Sequence, residues 1–240
     1  VNVFTISNQS NLELVSDMNF ACVCYGIKYK LEYAQKLYNM VQRNTTIDHK
    51  FYVFTDHPNP QQILDGDIFI KQFPRYDLQG WWNKMQLFHP GVLKGNTLYM
   101  DLDVVITDNI DCFFTYKPEA DFVGMNDFNP DTGIFNSSVM RFNSEAMESK
   151  LWQPFINDRN QWLRHAGDQN VISDLILRYD ETKAFPDAWT QSYKWYDRKG
   201  RRYHKNDWTF EHNGESLVTV FHGEPNPHQS NEEWVKKAWF

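Results

Sequence analysis

Apolar and polar positions along the chain follow two periods that take turns. Short apolar runs read as strands at Asn19–Tyr25, Phe51–Asp56, Ile68–Phe73, Asn96–Ile106, Phe122–Met125, Ile134–Phe142 and Leu217–His222. Between them, Leu31–Arg43 places Leu31, Ala34, Leu37, Tyr38 and Val41 on one helical face. A second helix opens at Gly167-Asp168-Gln169 and runs to Arg178, with Val171, Ile172, Leu175 and Ile176 on its apolar side. Trp81–Phe88 predicts a short helix before the turn at Pro90-Gly91, and His57-Pro58-Asn59-Pro60 stops the second strand. Strands alternating with helices predict an α/β fold whose ligands lie at the carboxyl ends of the strands. No repeat, low-complexity tract or linker interrupts the pattern, so residues 1–240 are expected to form one domain.

Three polar clusters fall at such strand ends: Tyr25-Gly26, Asp101 with Asp103, and His222-Gly223. Asp101 and Asp103 are two apart, and on an extended chain that spacing points both carboxylates to one face. Such a pair can hold a hard divalent cation, which in turn can neutralise a diphosphate. A D-x-D pair alone is common, and its weight comes from the apolar run before it. Asn136 stands inside a predicted strand, where its propensity is poor, which favours a role in a site.

Composition narrows the function classes. Charged residues make up 23% and apolar residues 41%, an ordinary globular balance. A formal net charge of −7 argues against a nucleic-acid backbone as partner. Aromatic residues reach 16% with nine Trp, enough for stacking on sugar or base rings as well as packing. Cys22, Cys24 and Cys112 are few and odd in number, and lack metal-ligand spacing. They read as reduced, buried thiols of a cytoplasmic protein. No run is long enough to span a membrane, and no signal peptide is visible.

With these residues in place, the chain resembles glycosyltransferases of the GT-A fold, most of all family eight, which includes glycogenin and bacterial galactosyltransferases. The resemblance spans about Cys22 to Pro227. It rests on Trp82-Asn83-Lys84-Met85-Gln86-Leu87-Phe88 leading into Leu98–Asp103, and on Phe135-Asn136-Ser137-Ser138-Val139-Met140, similar to F-N-[AS]-G-V. Asp168-Gln169 resembles the family's D-Q motif, and His222-Gly223 the start of its H-x-x-G-x-x-K-P motif. Four such pieces in order are more specific than any one.

The resemblance implies a single GT-A (Rossmann-like) domain with a mixed, mostly parallel central sheet flanked by helices. It also implies metal-dependent transfer of a sugar from a nucleotide-sugar donor, UDP-hexose by family default, to an unidentified acceptor, with retention of anomeric configuration. Asp101 would contact both the nucleotide and the metal, with Asp103 and His222 completing the metal ligands. Nitrogen alongside oxygen donors suits Mn²⁺, or Mg²⁺. Lys84, Asn136 and Gly223 would serve the donor, and Tyr25 and Gly26 the nucleobase. Asp168, Gln169 and Asp127 would stand near the sugars, Asp168 and Gln169 positioning groups for front-face substitution. Two departures stand out: Gly223 is followed by Glu224-Pro225-Asn226-Pro227-His228 without the family lysine, and Ser137-Ser138 occupies the place where glycine is common.

Two other classes stay open at this point. A nucleotidylyltransferase would want a glycine-rich loop after the first strand, which Tyr25-Gly26-Ile27-Lys28-Tyr29 does not provide. The other is a carbohydrate-binding protein without turnover. The aromatic and basic stretch over 193–210 suggests a hairpin or acceptor-side flap. The tail over 229–240 suggests a packed terminal helix, with contact to a membrane surface as the alternative.

Overall fold

The computed structural model describes residues 18–194 and 216–240. Its strands are β1 (Met18–Cys24), β2 (Lys50–Thr55), β3 (Ile68–Lys71), β4 (Asn96–Met100), β5 (Val104–Ile106), β6 (Phe122–Asn126), β7 (Phe135–Asn143), β8 (Thr182–Ala184), β9 (Thr190–Ser192) and β10 (Val218–Val220). The helices are α1 (Glu32–Asn44), α2 (Asp111–Thr115), α3 (Ser144–Met147), α4 (Gln153–Asn157), α5 (Arg159–Trp162), α6 (Asp168–Ile176) and α7 (Glu233–Ala238). A 3₁₀ helix runs over Gly80–Phe88 and a π-helical turn over Glu148–Trp152.

Seven strands form the central sheet in the order β3-β2-β1-β4-β7-β6-β8. Only β7 runs against its neighbours, β4 and β6, and the other pairings are parallel. The expected mixed, mostly parallel α/β sheet is therefore present. Its strands are apolar on both faces because both are covered. Phe20, Cys22 and Cys24 of β1 point into one core with Leu37, Met40 and Val41 of α1. Ala21 points the other way, into a second core with Met85, Phe88, Phe155 and Ile172.

The expected continuous strand over Asn96–Ile106 is corrected by the structure. β4 ends at Met100, Asp101-Leu102-Asp103 turns, and β5 joins a second sheet of order β5-β10-β9. The apolar pattern cannot reveal this break, since both halves are buried and Leu102 in the turn is buried too. Antiparallel pairing of Val104 with Val220 then brings the segment after β10 beside Asp103, and Phe221 N–H donates to the Asp103 carbonyl at 3.0 Å.

Smaller differences have local causes. The segment Trp81–Phe88 is helical but of 3₁₀ form, in which positions three apart align, so Gln86 bonds Asn83 at 2.7 Å and anchors Arg75 backbone groups on its other side. The helices over 144–162 have no clear 3.6 period, because a π turn and Pro154 interrupt it. Cys22 and Cys24 are buried free thiols, whereas Cys112, expected to be buried, is partly exposed. Beyond Tyr193 and Lys194, the 193–210 stretch lies outside the described residues.

The tail packs against α1: Arg43 donates to the carbonyls of Ala238 and Phe240, at 2.6 and 3.1 Å, and Val235 is buried. Among the described residues no helix is long and apolar enough to cross a membrane.

Candidate active site

A cavity of about 400 Å³ opens at the carboxyl ends of β1 and β4, where a doubly wound sheet places its ligands. Tyr25, Lys84, Asp101, Asp103, Asn136, Asp168, Gln169, His222 and Gly223 all line it. Two expected site residues do not. Gly26 N–H donates to Asp56 Oδ1 at 2.9 Å on the outer side of its loop. Asp127 lines a smaller neighbouring cavity with Asn126 and Asp187, where its carboxylate accepts from Phe128 N–H at 2.9 Å and Thr132 Oγ1 at 3.0 Å.

Lys84 organises one wall. The 3₁₀ helix carries its side chain inward, and Nζ lies 3.0 Å from Asp101 Oδ1, 3.0 Å from Asp168 Oδ2 and 2.9 Å from Ser137 Oγ. Ser137 Oγ in turn donates to Asp168 Oδ2 at 2.8 Å. Burial alone would lower the Lys84 pKa, but the Asp101 and Asp168 carboxylates outweigh it and hold the ammonium charged. Tyr99, near the end of β4 and two residues before Asp101, donates its hydroxyl to Asp101 Oδ1 at 2.5 Å. Burial disfavours the Asp101 carboxylate, yet Lys84 and Tyr99 keep its pKa below the ordinary value.

The residues that hold this wall come from a break in the sheet. Between β6 and β7 the register shifts from Gly124 opposite Met140 to Met125 opposite Asn136, a β-bulge. Asn136 sits at that bulge, and its Oδ1 accepts from Ser138 N–H at 3.0 Å. Its unfavourable mid-strand position is thus explained by local chain geometry. Asp168 is buried at the first turn of α6, where the positive end of the helix dipole favours a carboxylate. Gln169 beside it is partly exposed to the cavity.

The opposite wall is built by the second sheet. Asp103 is buried, and its Oδ2 accepts from the Tyr29 hydroxyl at 2.8 Å and Gly223 N–H at 2.9 Å. Burial, and then repulsion from Asp101, raise its pKa above the ordinary value despite those two donors. His222 adopts φ 56°, an uncommon conformation for a residue with a Cβ, worth about 1–2 kcal/mol of strain. Its carbonyl accepts from Lys194 Nζ at 2.8 Å, and its ring meets Phe128 edge-on. Burial, followed by Lys194, lowers its pKa to about 4, with Asp127 and Asp101 pulling the other way, so the imidazole is neutral at pH 7. Its Nε2 is buried without a hydrogen-bond partner.

A neutral imidazole with an unsatisfied nitrogen beside two mutually repelling carboxylates fits a divalent cation in donor chemistry. Among the described residues, however, no three His, Cys, Asp or Glu groups are already gathered closely enough to enclose one. His228, which could have replaced the absent lysine, instead hydrogen-bonds the Tyr33 hydroxyl and packs edge-on to its ring, away from the cavity lining. Sequence reasoning overlooked Tyr29, Tyr99, Lys28 and Trp81, all of which line the cavity. Position was the available signal: Lys28 and Tyr29 follow β1 at its carboxyl end, and Trp81 lies one 3₁₀ turn before Lys84.

Comparison with solved structures identifies the fold. LgtC, a galactosyltransferase solved with donor and acceptor sugar analogs, superposes with a TM-score of 0.63 at 13% identity, covering 94% of this chain and 97% of that one. The fold is that of the GT-A glycosyltransferases. Apo GlyE of Streptococcus pneumoniae TIGR4 gives 0.61 at 16% identity, over 92% of this chain and 63% of that one, and a second GlyE structure is spanned over 45% of its length. Mouse xyloside xylosyltransferase 1 gives 0.58 at 13%, over 86% and 98%. No protein-family model matches the sequence, and no curated protein matches it.

Proposed function

We propose that the chain is a glycosyltransferase moving a sugar from a nucleotide-sugar donor, UDP-hexose first among candidates, to a carbohydrate acceptor with retention of configuration. One observation carries the reading. In a GT-A fold, a single strand-end cavity gathers Asp101, Asp103, Lys84, Asn136, Asp168, Gln169 and His222 from distant parts of the chain. Its volume lies in the range of small-molecule sites.

Asp101, Asp103 and His222 would hold a divalent cation, Mn²⁺ or Mg²⁺, which supplies Lewis-acid neutralisation of the departing diphosphate. The protein's own groups do the rest. Lys84 keeps Asp101 ionised and holds both Asp101 and Asp168 in place before substrate arrives, so little reorganisation is needed on binding. Tyr25 offers an aromatic wall to the nucleobase. Asp168 Oδ2 already accepts hydrogen bonds from Lys84 and Ser137, which blunts it as a nucleophile. That favours front-face substitution over a covalent intermediate, with Asp168 and Gln169 orienting the sugar and the incoming hydroxyl. An active-site mutant of LgtC replaces a glutamine with glutamate, and Gln169 is the glutamine in this cavity. Asp127, which lines a second cavity with Asn126 and Asp187, would meet the donor sugar or the acceptor only if either extends beyond the main cavity.

The test is release of nucleoside diphosphate from UDP- and GDP-hexoses with and without Mn²⁺ or Mg²⁺. Release that depends on the cation, is abolished by chelation and is lost in Asp103→Asn is expected. A second reading, carbohydrate binding without turnover, draws on the lack of a closed three-ligand cluster. Absence of release from every donor, with sugar binding intact, would replace the enzyme reading with that one.

A further inference from the structure

The cavity carries a charge problem for any anionic ligand. Three carboxylates, Asp101, Asp103 and Asp168, line it, and among the described residues its only ammonium groups are Lys84 and Lys28. Lys84 is consumed: its N–H groups are spent on Asp101, Asp168 and Ser137, and its side chain is 8% exposed. The protein's own lining therefore stays net negative around a locked ammonium, so beside the proposed divalent cation Lys28 is the one side-chain cation among the described residues of the lining left to meet a diphosphate.

Lys28 is placed to answer this. It is exposed at the cavity wall, on the loop that follows β1. That loop is fastened on both sides of it, by Gly26 N–H to Asp56 Oδ1 at 2.9 Å and by the Tyr29 hydroxyl to Asp103 Oδ2 at 2.8 Å. Nζ rests over the Tyr29 ring, 4.7 Å from its centroid. An exposed ammonium on a ring face is weakly held, whereas a phosphate oxygen offers it a charge-assisted hydrogen bond. We propose that Lys28 is the cationic contact for the diphosphate of a bound nucleotide. This rests on the glycosyltransferase reading and adds a donor-binding residue to it. Lys28 swings from the Tyr29 ring to the phosphate oxygens, while Lys84 stays in place beneath.

Calorimetric titration of UDP and uridine, in Mn²⁺ and varied NaCl, tests the assignment on wild type, Lys28→Ala, Lys28→Arg and Lys30→Ala. Lys30 is exposed on the same loop outside the cavity lining, so its removal changes net charge equally. Lys28→Ala should weaken UDP about tenfold, or about 1.4 kcal/mol. Lys28→Arg should keep most of the affinity, and Lys30→Ala should match wild type. The gap between wild type and Lys28→Ala should narrow as salt rises, and uridine should bind both alike. Equal UDP affinity of wild type and Lys28→Ala overturns this inference alone. So does an equal loss in Lys30→Ala, which would mean long-range charge, or an equal loss of uridine, which would mean loop damage. Wild type binding neither UDP nor, titrated in the same way, GDP overturns it together with the glycosyltransferase reading.

Discussion

On one wall of the cavity, Lys84 divides its N–H groups among Asp101, Asp168 and Ser137, and the Tyr99 hydroxyl donates to the same Asp101 oxygen that Lys84 contacts. On the other, Asp103 has two donors yet keeps a raised pKa, and His222 keeps a buried nitrogen with no partner. The walls stand side by side in one cavity and differ in completeness. The first is cross-linked by the protein's own ammonium and hydroxyl groups and can hold its shape without a ligand. The second carries a buried carboxylate repelled by Asp101 and a buried imidazole nitrogen without a hydrogen-bond partner, both of which the proposed cation would satisfy. The two walls meet in the Asp-Leu-Asp turn, where Asp101 is held by Lys84 and Tyr99 and Asp103 faces His222's side of the cavity.

The difference is broken most severely by removing the shared cation. Lys84→Met leaves Asp101 and Asp168 buried without their partner, and a loss of about 3–5 kcal/mol in unfolding free energy is expected. Urea denaturation measures it. Adding Asp101→Asn and Asp168→Asn to Lys84→Met should return more than half of the loss, since the damage lies in the stranded charges rather than in missing packing. A single variant within about 1 kcal/mol of wild type would erase the distinction between the walls.

Much of the fold was legible because strand and helix periods are strong where both faces of an element have a fixed environment. The apolar side of α6 with Val171, Ile172, Leu175 and Ile176 is such a case, and so is the β1 run. The turn at Asp101-Leu102-Asp103 was not legible, because a chain leaving one buried sheet for another keeps an unbroken apolar pattern. Site residues with unusual chemistry for their position, such as Asn136 in a strand or Asp168 opening a helix, could be picked out singly. Their assembly depended on long-range pairing, of Val104 with Val220 and of Met100 with Val139, which no local window contains. Tyr29 escaped for another reason: its hydroxyl matters only because Asp103 is brought to it across the fold.

The unsatisfied wall makes stability depend on pH in a definite direction. His222 binds a proton in the unfolded chain at about pH 6.5 but in the folded one only near pH 4. Between these values the unfolded state holds more protons, so stability is full above pH 6.5 and falls as the pH drops toward 4, by up to about 3 kcal/mol. Chelator-treated protein unfolded in urea across that range measures the slope. His222→Asn should flatten it, since Asn tolerates the positive φ and does not titrate there. An unchanged slope would place the titrating group elsewhere and remove the neutral imidazole from this wall.

Asp103 gives the smallest and most discriminating effect, because its sign opposes the usual outcome of mutating a buried hydrogen-bonded group. Its folded pKa is raised by burial and by Asp101, so the folded state binds its proton more tightly than the unfolded chain does. Its contribution is therefore most favourable at low pH, and ionised Asp103 works against folding at pH 7. Asp103→Asn removes the charge, while the amide oxygen still accepts from Tyr29 and Gly223. In chelated protein, thermal melting should rise by about 2–4 °C, the shift for roughly 1 kcal/mol in a chain of this size. Mn²⁺ should then reverse the order, stabilising wild type by mass action and leaving Asp103→Asn unmoved. A variant less stable than wild type in chelator would mean that the two hydrogen bonds outweigh the repulsion, making this wall as self-sufficient as the one Lys84 holds.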